Sequence, residues 1–209
     1  MKDLLAELDL AQRRVARLSD HEGAGIDGDV YDVEIRRIYD AEPADVWDAC
    51  TNPERLARWF SAVTGDLRIG GRYSIDGNAS GTITGCDPPH RLALDWEFGD
   101  AISWVTLELT AVGGGCELVL CHRQPRTDHW QTYGPGATGV GWELTVLGLG
   151  WHLAGVEKTH AEFEANPQAK DFSRRSAALW GTAHEAAGAP SDVATKAAQA
   201  TADAFAPAG

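Results

Sequence analysis

The run GVGWELTVLGLGWHLAGVEKTHAEFE, residues 139–164, decides how the fold is read. Trp142, Val146, Leu149, Leu153, Val156, His160 and Phe163 recur in it at steps of four and three, the spacing of one helical stripe. Leu144, Leu147 and Trp151 fall off that stripe, so the segment is apolar almost all round as far as Val156. Such a helix is buried on more than one side. Gly141, Gly148, Gly150 and Gly155 each weaken a helix by about 1 kcal/mol relative to alanine. Close packing, or a ligand lying against the backbone, is the usual compensation. Asn166-Pro167 ends the helix.

Upstream of it the texture is that of a sheet. From Asp66 to about Gln124 short alternating runs (DLRI, GGRYSI, SGTITGC, HRLALDWEF, ISWVTLELTAV, CELVLCHR) are separated by Gly70-Gly71, Asp76-Gly77, Pro88-Pro89, Gly99-Asp100 and Gly113-Gly114-Gly115. Those are hairpin turns and tight loops, which predict an antiparallel, strongly curved sheet. Period two puts Leu92, Leu94, Trp96 and Phe98 on one face. It does the same for Val105, Leu107 and Leu109 on the next strand, and for Leu118, Leu120 and His122 on the one after. Before the sheet, Asp29–Tyr39 reads as a first strand with Tyr31, Val33, Ile35 and Ile38 on one face. Pro43 opens a helix to about Cys50, and Asn52 caps a second one whose apolar side is Leu56, Trp59 and Phe60.

The flanks differ. Leu4, Leu8, Ala11, Val15 and Leu18 form a four-three seam, which predicts a helix over residues 3–18 that docks on the body or pairs with its copy in a homodimer. A glycine- and acid-rich loop follows. Pro125 to Thr138 reads as a long, lid-like loop. Beyond Pro167 the chain turns alanine-rich, with helices over 169–187 and 192–205, the second capped by Ser191. They read as an appended hairpin or a partly mobile tail.

Composition narrows the partners. Lys plus Arg number 18 against 31 for Asp plus Glu in 209 residues, a formal charge of −13. A chain so acidic repels phosphate backbones and anionic membranes, so nucleic acid is excluded as a natural partner. No apolar run approaches the ~18 residues of a membrane span, and the acidic MKDLLAELDLAQRR start is unlike a signal peptide, so a cytoplasmic location is expected. Cys50, Cys86, Cys116 and Cys121 lack CxxC spacing and read as reduced, buried thiols.

The order of strand, two short helices, curved antiparallel sheet and long helix resembles the α+β helix-grip fold of the SRPBCC, or START-like, superfamily. Its members include the birch-pollen-allergen proteins, polyketide cyclases and lipid-transfer domains. The branch it is most similar to is that of homologues of the heat-shock-protein-ATPase activator C-terminal domain. That rests on AEPADVWDACTNPERLARWF (41–60), DLRIGGRYSI (66–75), SGTITGCDPPHRLALDWEF (80–98), SWVTLEL (103–109), ELVLCH (117–122) and Gly141-Trp142. The resemblance covers about residues 29–164. It implies a helix-grip domain of about seven strands over 29–166, with an N-terminal segment (1–28) and a C-terminal helical extension (167–209) outside it. It also implies a cavity between sheet and long helix for an apolar small molecule. It implies no reaction, because one superfold hosts carriers, enzymes and co-chaperones alike.

Trp59, Phe60, Tyr73, Ile83, Leu94, Trp96, Phe98, Leu107, Leu120, His122, Trp130, Trp142, Val146 and Leu149 are the candidate ligand-binding residues. Ordinary core packing accounts equally for many of the aromatics. His122 is the candidate polar anchor, with Tyr73 as a second hydrogen-bonding group; the alternative for His122 is a satisfied core histidine. Three readings stay open. The first is binding of a hydrophobic small molecule without catalysis. The second is a polyketide cyclase or dehydratase using His122 as general base. The third is a co-chaperone or regulator acting on a protein partner through Trp59-Phe60 and the terminal helices. No metal or cofactor is expected. His152 lies more than two turns from the Glu157-x-x-His160 pair, out of reach of one ion; Asp128 and His129 with His122 make an equally poor set. There is no Gly-x-Ser-x-Gly elbow and no phosphate loop.

Overall fold

The computed structural model describes residues 3–18, 29–156 and 158–207, with backbone alone at residue 160. After a 3-10 turn at Leu5–Leu10 the chain runs through β1 (Ala11–Leu18), β2 (Val30–Tyr39), α1 (Pro43–Thr51) and α2 (Pro53–Trp59). Six strands follow: β3 (Val63–Gly65), β4 (Arg72–Ile75), β5 (Ser80–Asp87), β6 (Arg91–Phe98), β7 (Ala101–Val112) and β8 (Gly115–Pro125). The rest is helical: α3 (Asp128–Tyr133), α4 (Gly136–Leu153), α5 (His160–Glu164), α6 (Ala169–Ala186) and α7 (Ser191–Phe205). The strands form one sheet in the order β1-β2-β8-β7-β6-β5-β4-β3, the α+β arrangement expected. Its register shifts between Ile83 and Gly85, an irregularity of the kind that bends a sheet.

Two compact units divide the chain: Met1–Ile35, Arg123–Leu144 and His160–Gly209 form one, Arg36–His122 and Thr145–Thr159 the other. In the second unit, the α1–α2 corner follows its sequence signals. Asn52 Oδ1 accepts from the Glu54 amide at 3.0 Å, and Pro43 and Pro53 occupy first-turn positions. Arg55 bridges Asp45 (2.6 Å), Asp48 (3.0 Å) and His152 Nε2 (3.1 Å), while the Trp59 indole donates to Ala49 O at 3.1 Å. The second half of α4 lies close on these groups. Tyr39 donates to Val146 O at 2.8 Å. A methyl at Gly150 would stand 3.0 Å from the Arg37 guanidinium, and one at Gly148 3.5 Å from Trp59 O. Close packing is therefore what those two glycines provide.

In the first unit the other half of α4 receives helices. Trp180 of α6 lies across Gly139, and Thr201 of α7 sits against Gly136, where any Cβ would collide. Trp180, Phe172, Ser176 and Thr201 are buried. Glu143, 2% exposed, takes two bonds of 2.7 Å from Arg13 and one of 3.2 Å each from Ser176 and Trp180. The C-terminal hairpin is thus part of a packed core, not a mobile tail.

Several expectations need correcting. Residues 3–18 are not one helix but a 3-10 turn and a strand. Ala11 and Val15 belong to a helical seam and to a period-two face alike. The strand alternative was hidden because its middle member is Arg13, whose charge is neutralised by Glu143. The long helix stops at Leu153: Gly155, at φ +69°, closes a Schellman motif in which the Val156 amide reaches Trp151 O and Gly155 reaches His152 O. On β2 the buried face is Val33, Ile35, Arg37 and Tyr39, leaving Ile38 60% exposed. DLRI is not a strand; β3 lies just before it. Residues 125–138 hold α3, with Trp130 buried, rather than a bare loop. Pro190, not Ser191, precedes α7 as its cap residue. Most of the glycine-rich N-terminal loop, residues 19–28, lies outside the described residues, as does Glu157.

Candidate functional site

The inward face of the second unit's sheet carries several of the candidate residues. Cross-strand pairing sets Ile83 opposite Leu94, Leu94 opposite Val105, Leu92 opposite Leu107, and Trp96 opposite Ser103. On β8 the same alternation buries Cys116, Leu118, Leu120 and His122. The expected faces are therefore the observed ones. Toward the end of this apolar surface stands a polar group of three. His122 Nε2 is 2.8 Å from Ser103 Oγ, Ser103 Oγ is 3.2 Å from Trp96 O, and the Trp96 ring lies 5.8 Å from the imidazole.

With the Ser103 proton turned to the carbonyl, His122 donates to Ser103 from Nε2; with it turned to the ring, Ser103 donates to His122. Burial pushes the His122 pKa down to about 4, so the ring is neutral at physiological pH. Ser103 was overlooked in the sequence, although period two through SWVTLEL places it on the same face as Val105 and Leu107. A lone hydroxyl on an apolar strand face was the available signal.

The other candidates fall into four groups. Tyr73, Ile83, Leu107, Leu120, Val146 and Leu149 are buried in the second unit, where Leu94 and Trp96 are half-buried. The Tyr73 ring covers Gly81 across the strands, and its hydroxyl donates to Asp95 O at 2.7 Å. Burial raises its pKa, so Tyr73 stays protonated and its donor is committed within the sheet. Trp59 and Phe60 contact each other, with ring centres 5.6 Å apart, and Trp59 lies over His152. Phe98, at the end of β6, is 59% exposed and lines no enclosed surface. Trp130 and Trp142 belong to the first unit, where Trp130 stacks on Tyr31 at 4.0 Å and meets His184 edge-on. Among the described residues no group of three or more His, Cys, Asp or Glu is placed to hold a metal ion, and no helix is long and apolar enough to cross a membrane.

An α+β chain with a long helix lying on an antiparallel sheet, whose inward face is apolar around one buried histidine, defines a helix-grip protein. The chain belongs to the family described as activator of Hsp90 ATPase homolog 1-like protein, whose model matches residues 40–152. It is similar to CalU16 from Micromonospora echinospora: the crystal structure is 32% identical with a TM-score of 0.67, covering 84% of this chain and 98% of that one. The solution structure of CalU16 gives 31% identity and a TM-score of 0.71, over 85% and 97% of the two chains. The likeness thus extends beyond the stretch that the family model matches. DynU16, from the dynemicin biosynthetic locus, shares the fold at 22% identity and a TM-score of 0.55, over 60% of this chain and 48% of that one. No curated protein matches the chain.

Proposed function

We propose that the chain binds a small hydrophobic molecule in the second unit, between the inward face of β5–β8 and the Thr145–Leu153 part of α4. Leu94, Trp96, Leu107, Leu120, Val146 and Leu149 provide the apolar contact, and His122 the polar anchor. The observation that carries this reading is the His122–Ser103 pair itself. A buried hydrogen-bonded pair on an apolar face costs desolvation that plain packing avoids. Beside the half-buried Trp96, it sets a polar imidazole at the edge of the apolar face while Trp96 offers a flat apolar surface.

Catalysis is not needed. A general base works best with a pKa near the working pH, and a histidine pushed to about 4 is a weak one. Binding with orientation suits it better than proton abstraction. The test is titration with the uncharged fluorophore N-phenyl-1-naphthylamine. Saturable uptake near one per chain, weakened at least about tenfold by His122→Phe or by Leu120→Gln, supports the reading. Unsaturable uptake, or uptake that both variants leave unchanged, contradicts it.

A further inference from the structure

His184, on α6, has no part in the site above. It is 6% exposed, and its Nδ1 has no hydrogen-bond partner among the described residues. Three elements of the first unit enclose it. From α3 the Trp130 ring meets it edge-on, with centroids 5.6 Å apart at 79°. Just past α3, Gly134 turns at φ +54°; a Cβ there would come within 2.9 Å of Nδ1 and 3.2 Å of Ala197 on α7. A glycine is required at that corner both by its left-handed backbone and by the imidazole it makes room for.

Among the described residues, the surroundings hold no countercharge. On α3, Asp128 and His129 are exposed, and His129 contacts Tyr133, with ring centres 4.9 Å apart. On α7, Asp192 and Lys196 are exposed, and on α6 itself Glu185 is exposed and lines an outer groove with Arg174 and Asp203. Burial alone lowers the His184 pKa; no neighbouring charge contributes. Packed as it is, the ring favours its neutral form.

We propose that His184 is an acid-sensitive latch, which frees the end of α6 and α7 from α3 when it takes up a proton. The first half of α6 stays in place, because Ser176 and Trp180 bond to Glu143. Arg174 and Lys170 hold the end of α7 to α6, and α7 meets the corner after α3 through the packing of Thr201 on Gly136 and of Ala197 on Gly134, with one long polar contact, Thr201 Oγ1 to Tyr133 O at 3.4 Å. Opening lets the imidazolium reach water, so each proton taken up favours the open form.

Hydrogen exchange on the full chain tests this between pH 7.5 and 5. Rates are converted to protection factors, which removes the intrinsic pH dependence of exchange. A released histidine of pKa ~6.5 and a docked one that stays neutral allow protection in α7 and the last turns of α6 to fall by up to about thirtyfold. The fall should be absent in His184→Gln, whereas any fall at β6–β7 amides, which His122 produces, should be the same in both proteins. Should His184→Gln fail to fold, His184→Phe serves in its place, and His122→Phe must retain the effect. Protection that is flat with pH in the wild type, or that falls equally in the His184 variant, overturns the latch.

Discussion

Arg13 and Glu143, 130 positions apart in the chain, meet as a two-pronged pair with both bonds at 2.7 Å, and only 2% of the carboxylate side chain is open to water. Arg13 also donates to Leu8 O and Ala11 O, so the N-terminal segment is folded around its own arginine before it reaches the helix. A buried ion pair of this quality does not by itself prove net stabilisation, but breaking it leaves an uncompensated charge. Arg13→Ala or Glu143→Ala should each cost about 3–5 kcal/mol in urea unfolding. The double replacement Arg13→Met with Glu143→Leu should cost less than either single change. Additive losses in that cycle would refute the pairing.

The two glycines at 139 and 141 sit two residues apart in α4 and should respond oppositely to alanine. At Gly139 the new methyl would enter the Trp180 ring, so Gly139→Ala should destabilise by about 1–3 kcal/mol. Nothing lies within 4 Å of the Cβ position at Gly141, so Gly141→Ala should gain up to ~1 kcal/mol from helix propensity. Thermal melts of the pair give the sign of each directly.

His122 makes stability depend on pH with a defined sign. Its folded pKa of about 4 lies below the ordinary 6.5, so the unfolded chain binds the proton first. The contribution is complete above pH 6.5 and is lost as pH falls from there toward 4. It amounts to about 3 kcal/mol at the full difference. His122→Phe should flatten that part of the stability curve between pH 6.5 and 4. An unchanged slope in the variant would show that carboxylates alone produce it.

Ser103→Ala removes the hydrogen-bond partner of His122 Nε2 and strands a buried polar group. A loss of about 1–3 kcal/mol is expected, with a rise in the His122 pKa absent, since the charged form gains nothing. Ser103→Thr, which keeps the hydroxyl on a strand-favouring side chain, should recover most of the loss. Imidazole resonances followed by NMR would also show the tautomer, fixed in the wild type and no longer fixed in Ser103→Ala.

How much of this was legible in the sequence depended on whether one periodicity was at stake or two. Leu92 to Trp96, Val105 to Leu109 and Leu118 to His122 alternate without rivals, and their faces are those observed. Asn52 and Pro53 carry a helix start in their own chemistry, and it formed as read. Ala11 and Val15 fit a helix and a strand equally. Only Glu143, far along the chain, makes the strand with inward Arg13 possible, and pairing at that separation leaves no local trace. The stop at Gly155 was legible as a helix C′ glycine but was masked by apolar spacing that continued to Phe163. His122 stood out on its strand and its partner did not, because Ser103 meets the imidazole only when β7 is laid beside β8.

Native mass spectrometry of protein purified without detergent from its own cells tests the proposed apolar ligand beside His122 most directly. The expected result is a stoichiometric adduct that solvent extraction releases as a hydrophobic molecule bearing a polar group, and that His122→Phe retains poorly. Bare protein in the same spectrum, together with no uptake of hydrophobic probes, would contradict such binding.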